Sequence, residues 1–403
     1  MLLPAVKAHY DAGLLYNSVV GMTKPWHWHL FCRVIDNFGD IGVCWRLARQ
    51  LQQVHGQRIS LWVDDLVSFA ALEPGVNPAL PQQQVQGIAV YRWDEDFDLP
   101  ADEPEVVVET FACELPPRYL QWMQHITQQR GRQPVWINLE YLSAEDWVRS
   151  CHGSPSPVHG MNKTFFFPGF TEGTGGLLFD AQLPALAQEL ASAEARAAEL
   201  ALYGVHNIAD NTRLVSLFAY ENPALPVLLA QLEQGPQPAC LLIPQGRISV
   251  GVEDWLQHPL PVGQPQQRGA LTLCTLPFLS QPQYDRLLAL CDLNCVRGEE
   301  SFVRAQMLGK PMLWHIYQQE EDAHLVKLEA FLALYLQQAE PELRESLLAL
   351  FRGWNQPGLP MPDLQPLLAA PQVWQQHARE WQQGLLQLGD LAANLVQQVE
   401  NRV

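Results

Sequence analysis

A chain of 403 residues that is 48% hydrophobic and 17% charged holds enough apolar material for two or three packed domains and excludes global disorder. Its 25 Lys and Arg against 43 Asp and Glu give a formal net charge of −18, which repels nucleic acid and anionic membrane and leaves a nucleotide only a local pocket to bind in. No apolar run nears the ~18 residues of a membrane span.

Residues 1–23 have neither the basic start nor the unbroken apolar stretch of a secretory signal, since Lys7, Asp11 and Asn17 interrupt them. They are expected to form an extension outside the fold, with Met22 as an alternative start. The eight cysteines make no C-x-x-C pair, and no histidine is spaced to complete a zinc site with Cys291 and Cys295. Buried thiols in a reducing cytoplasm are the expectation, with no metal.

From Trp28 onward strands alternate with helices. Leu30–Ile35 reads as a buried strand and Ile41–Val54 as a helix, with Val43, Leu47 and Leu51 on one face. Ile59–Val63, Val90–Trp93, Val106–Thr110 and Val135–Leu139 are β-rich runs, with a helix over Leu115–Gln129. Between His152 and Gly176 the pattern lapses into Gly, Pro, Ser and Thr, the chemistry of a loop or linker. Leu183–Leu202 is rich in Ala and Glu and predicts one helix. A second alternation follows, with strands at Leu214–Phe218, Cys240–Ile243, Leu271–Leu276, Leu293–Val296 and Met312–Ile316. Its helices are predicted over Gln283–Cys291 behind an Ser280 cap, from near Ser301 to Gly309, and over Asp322–Gln338. Val373–Val399 reads as largely helical.

Strands separated by helices imply mainly parallel sheets covered on both faces. The expected fold class is α/β: two Rossmann-like doubly wound domains facing a cleft, at 24–182 and 205–372. A helix over 183–204 would join them, and a C-terminal helix over 373–403 would pack back on the first domain. Ligands of such sheets sit beyond the carboxyl ends of the strands, so chemistry is sought in those loops.

Three constellations stand there. Asp36-Asn37-Phe38-Gly39-Asp40-Ile41-Gly42 joins the first strand to the first helix. It is not a G-x-G-x-x-G fingerprint, and two carboxylates beside a phosphate would repel it, so the turn suits a cationic or proton-donating acceptor. A plainer reading makes Asp40 an N-cap and Asp36 a turn residue. The second, Arg297-Gly298-Glu299-Glu300-Ser301, is a strand-to-helix turn whose N–H groups, with Ser301 and Arg297, can hold a diphosphate. Glu299 fits better on a ribose or sugar hydroxyl, or as a cap. The third is scattered: Phe218, Tyr220, Phe278 and Tyr284 could sandwich a base while Gln281 reads its edge, although aromatics are more often core. His27 and His29 are expected in structural roles; His315 stands at a strand end, within reach of the cleft. No Ser-His-Asp or Cys-His arrangement is legible.

Taken together these blocks resemble the EarP family, the bacterial protein-arginine rhamnosyltransferases of elongation factor P. The matches are Asp36 to Leu47, Phe218-Ala219-Tyr220-Glu221, Arg297 to Gln306, and Gly309-Lys310-Pro311 followed by Trp314-His315-Ile316-Tyr317. The resemblance implies a GT-B transferase that moves rhamnose from dTDP-β-L-rhamnose, with inversion and no metal or other cofactor. The acceptor it implies is an arginine at the tip of the N-terminal domain of elongation factor P, the factor that rescues ribosomes stalled at polyproline. It also implies that Asp36 and Asp40 are the catalytic aspartates and that Asn37, Phe38 and Gly39 lie among the substrate contacts. Arg297, Gly298, Glu299, Glu300 and Ser301 would form the donor segment, and Phe218, Tyr220, Phe278, Gln281 and Tyr284 would hold thymine and sugar. Glu300 departs from the Asp expected in many relatives.

The chemistry agrees: a guanidinium keeps its proton and is a poor nucleophile, and two carboxylates can pin it and take its proton. Asp40 is assigned as base and Asp36 as orienter, with the reverse left open. The rivals are a transferase of the same fold with another donor or acceptor, and a non-catalytic nucleotide-binding protein.

Overall fold

The computed structural model describes residues 24–35, 38–94, 97–206 and 208–402. The first domain is built on strands β1 (His27–Cys32), β2 (Arg58–Val63), β3 (Gln82–Val85), β4 (Ile88–Arg92), β5 (Val106–Thr110), β6 (Val135–Leu139), β7 (Pro155–Val158) and β8 (Met161–Phe166). They form one sheet in the order β3-β4-β2-β1-β5-β6-β8-β7. The strands from β4 to β8 pair in parallel, while β3 and β7 are antiparallel additions at the two edges. Every residue of β1 is buried, as a central strand covered on both faces requires.

The second domain uses β9 (Arg213–Leu217), β10 (Ala239–Pro244), β11 (Gln266–Arg268), β12 (Leu271–Leu276), β13 (Leu293–Arg297) and β14 (Met312–His315), in the order β11-β12-β10-β9-β13-β14. Each sheet changes direction at its first strand. The chain goes from β1 to β2 on one side and reaches β5 on the other; β9, β10 and β13 repeat the pattern. A doubly wound sheet opens a crevice at such a point. The loops after β1 and β5 therefore face outward in one domain, and those after β9 and β13 in the other.

The stretch 152–176, read as loop, contains a hairpin that widens the first sheet. His159 (φ 49°) and Gly160 (φ 76°) supply the two left-handed residues of its turn, and β8 then pairs with β6. Pro155 and Pro157 masked β7, because proline is tolerated only where a strand lies at a sheet edge. The same turn chemistry, Gln86 (φ 49°) and Gly87 (φ 82°), makes the β3–β4 hairpin. The predicted helix over 183–202 is two, Leu183–Glu189 and Ala193–Leu202, because the Ser192 hydroxyl accepts the Ala195 N–H at 3.1 Å and caps a fresh start.

The C-terminal segment also divides, at Gly389 (φ 79°). Helix Pro371–Gln387 lies on the second domain, whose core takes Trp374 and Leu385. Helix Leu391–Glu400, capped by Asp390 on the Ala393 N–H (3.0 Å), crosses back and gives Leu391, Leu395 and Val399 to the core of the first.

The domains are also joined by a buried ionic contact. Arg46, on helix Gly39–Gln53 of the first domain, donates from both terminal nitrogens to Asp285 of the second, at 3.1 and 3.0 Å. Arg304 grips the same carboxylate at 2.9 and 2.7 Å. Arg46 Nε also donates to Glu300, and Gln281 Nε2 bridges Glu300 (3.0 Å) to the Gly42 carbonyl (2.9 Å). Burial alone would push Asp285 up, but Arg304 and Arg46 outweigh it and hold the carboxyl below its usual range. Burial likewise opposes the charge on Arg46, and Asp285 and Glu300 overcome it. Removing Asp285 strands two buried guanidinium groups, so Asp285→Ala is expected to cost about 3–5 kcal/mol of stability. Urea unfolding checks this, and a loss below about 1 kcal/mol would mean the contact contributes little.

Candidate active site in the interdomain cleft

Asp40 stands in the first turn of helix Gly39–Gln53, with Phe38 rather than Asp40 at the N-cap position. Its side chain turns back to the end of the first strand. Oδ2 accepts the Ile35 N–H at 2.8 Å, and Oδ1 accepts the Tyr141 hydroxyl at 3.2 Å. Asp36 and Asn37, the other polar members of that motif, lie outside the described residues.

Tyr141 follows β6 and lies flat on Phe111, ring centroids 4.4 Å apart and planes within 14°. Phe111 and Ala112 hold left-handed φ angles of 56° and 53° just past β5, a costly conformation for non-glycine residues that is found where surroundings force it. The next residue, Leu142, donates its N–H to Glu299 Oε2 at 2.9 Å. This bond crosses the cleft, because Glu299 stands just before helix Glu300–Met307 of the second domain. Glu299 occupies the N-cap position without capping its own helix. Burial, and then the nearby negative charge of Asp40, raise its carboxyl to about 7, against the lowering effect of the Leu142 N–H. One acid from each domain thus faces the same space.

The wall that carries Glu299 is built by the turn after β13. Gly298 takes φ 58°, which glycine adopts without strain, and its carbonyl accepts the Trp314 Nε1–H at 2.8 Å. The Arg297 guanidinium lies 4.4 Å from the Phe218 ring centroid and 4.6 Å from that of Tyr220. Such cation–π contacts hold a charge at a cleft wall without neutralising it. The Ser301 hydroxyl folds back on Arg297, accepting its N–H at 3.1 Å and donating to its carbonyl. Helix Glu300–Met307 begins beside it.

Tyr284 is buried beneath Phe218, edge to face at 5.5 Å. Phe278 is 41% exposed and meets Phe38 of the first domain edge to face at 5.2 Å, closing the two rims on each other. Gln281 and Glu300, read as donor contacts, engage Gly42 and Arg46 across the domain boundary here. His315 is buried against Tyr220, and burial, with Arg297 nearby, lowers it to about 4, so the ring is neutral at pH 7. A cavity of about 310 Å³ adjoins this wall, lined by Asn222, His315, Gln318 and Trp354 among others.

Glycine 39 begins the first helix as expected of a tight turn. Tyr141, Leu142, Arg46 and Asp285 were not singled out by the sequence reading. The position of Tyr141 and Leu142 just past a strand end was the available signal. Nothing local marked Arg46 and Asp285, whose meaning lies in a contact between residues 239 positions apart.

Residues 28–400 match the family model of the elongation factor P (EF-P) rhamnosyltransferase EarP. A protein-arginine rhamnosyltransferase of Pseudomonas putida is 50% identical over 375 residues, covering 92% of this chain and 97% of its own. One from Shewanella oneidensis is 40% identical, covering 93% and 98%. A solved structure described as the structural basis for EarP-mediated arginine glycosylation of translation elongation factor EF-P superposes with a TM-score of 0.65. It is 38% identical and covers 94% of this chain and 100% of its own. With two Rossmann-like domains in the GT-B arrangement and a match running nearly end to end, this chain belongs to the EarP family of protein-arginine rhamnosyltransferases.

Proposed function

We propose that this enzyme transfers L-rhamnose from dTDP-β-L-rhamnose to an arginine side chain of elongation factor P, with inversion at the anomeric carbon, in the cytoplasm. The observation that carries the reading is that Asp40 of the first domain and Glu299 of the second face one space, with Arg297 and the start of helix Glu300–Met307 beside Glu299. A guanidinium is planar, cationic and protonated at any working pH. Two carboxylates from facing walls suit it, and they would repel an anionic acceptor.

In this reading Asp40 takes the proton from the attacking nitrogen. Glu299, ionised by the arriving cation, holds the guanidinium by charge-assisted hydrogen bonds. The donor diphosphate lies at the start of helix Glu300–Met307, where N–H groups and Arg297 stabilise the charge it gains on leaving. The N–C bond forms on the face opposite the breaking C–O bond, which gives inversion in one displacement without a sugar–enzyme intermediate. Phe218, Tyr220 and Phe278 supply flat apolar faces for base and sugar. The relatives, which are protein-arginine rhamnosyltransferases, and the solved structure for EarP-mediated arginine glycosylation of EF-P support the acceptor assignment. No helix is long and apolar enough to cross a membrane among the described residues.

Incubation with dTDP-rhamnose and elongation factor P is expected to add one deoxyhexose to a single arginine, read by mass spectrometry. UDP- and GDP-sugars in place of dTDP-rhamnose should give none. Asp40→Asn should lower turnover by about 10²–10⁴ while donor binding persists. Normal turnover in that variant would remove Asp40 as the base.

Glu299 adds a pH signature. Its carboxyl is raised from 4.5 to about 7 in the folded protein. Stability from this shift is therefore fully present below about 4.5 and is lost as pH rises through about 7. Glu299→Gln should flatten this part of the stability profile. Melting temperatures of both proteins between pH 4.5 and 8 decide it, and parallel curves would show that Glu299 does not titrate there.

A further inference from the structure

Tyr141 and Leu142, the second and third residues after β6, each touch an acid, and the acids belong to different domains. The Tyr141 hydroxyl donates to Asp40 Oδ1 at 3.2 Å, and the Leu142 N–H donates to Glu299 Oε2 at 2.9 Å. The Tyr141 ring is fixed from below by Phe111, 4.4 Å away, and the Phe111 N–H is tied to the Leu139 carbonyl at 2.6 Å. That backbone takes left-handed angles at Phe111 and Ala112, so the stacking platform is held in a conformation the chain would not adopt alone. Asp40 Oδ2 is meanwhile occupied by the Ile35 N–H at 2.8 Å. The carboxylate is thus held at both oxygens, from two separate strands' ends.

We propose that Tyr141 is a positioning residue for the transfer reaction: it orients the Asp40 carboxylate toward the acceptor nitrogen and, through its neighbour Leu142, sets the spacing between Asp40 and Glu299. The proposal rests on Asp40 acting as the base. The proton released as the N–C bond forms goes to Asp40, and Tyr141 keeps its own. Burial, and then the Asp40 charge, hold the phenol above its usual range, so it serves as donor only. Asp40 and Cys44 of the first helix and Glu299 of the second domain are the titratable groups that act on it. Donation to a carboxylate makes that carboxylate a weaker base. The gain must therefore come from geometry, as aligned groups gain rate from fixed orientation.

Tyr141→Phe keeps the ring on Phe111 and removes only the hydroxyl. Its kcat is expected to fall about tenfold, the loss of one hydrogen bond to a charged group, with KM for donor and acceptor within about twofold. The acid limb of its pH–rate profile should move to higher pH, because Asp40 loses a donor that favours its ionised form. Tyr141→Leu, which loses the stack as well, should fall further and melt lower. A folded Tyr141→Phe with unchanged kcat and an unmoved acid limb overturns the proposal, as does a lowered melting temperature with unchanged kinetics, which marks a structural role alone. Asp40→Asn run alongside separates the cases: an inactive Asp40→Asn beside an unaffected Tyr141→Phe sinks this inference only, whereas an active Asp40→Asn sinks the base assignment and this inference with it.

Discussion

Asp285 carries its negative charge between two guanidinium groups that arrive from different domains, Arg46 from the first and Arg304 from the second. All three side chains are nearly excluded from solvent, so none can be removed without leaving charge unpaired in a medium that solvates it poorly. The arrangement sets how the helix that bears Asp40 stands against the helix that begins after Glu299. Glu300 and Gln281 extend the contact to the carbonyl of Gly42, two residues from Asp40. The two halves of the site are thereby registered by bonds made immediately behind it.

That registration explains how an acidic protein can build a site with two opposite demands. The proposed reaction makes those demands: a cation must be attracted and give up a proton, and a diphosphate must be received. Asp40 and Glu299 are held by donors that themselves come from the backbone or a phenol, at Ile35, Leu142 and Tyr141. Arg297 is packed against the faces of Phe218 and Tyr220. The net charge of −18 then favours a basic protein partner over nucleic acid.

Crossing of the chain between domains adds a second coupling. The C-terminal segment leaves the second domain at Gln387 and returns its last helix to the first, with Leu391, Leu395 and Val399 in that core. The turn is made at Gly389, whose φ of 79° a glycine adopts without strain and a continuing helix excludes.

The alternation of buried strands and amphipathic helices was legible along the chain because parallel sheets covered on both faces leave a periodic apolar imprint. The turns after β1, β9 and β13 were legible because a doubly wound sheet gathers its ligand-binding loops at strand ends. Hairpins whose strands carry proline or glutamine, β7–β8 and β3–β4, escaped notice, since their stability comes from the neighbouring strand more than from their own composition. The partner of Asp40 and the cross-cleft acid were settled only in three dimensions. Tyr141 lies 101 residues from Asp40, and Glu299 lies 157 from Leu142. Local sequence encodes propensity over a few residues, whereas a carboxylate's charge, donors and facing partner depend on which distant segments the packed core brings beside it.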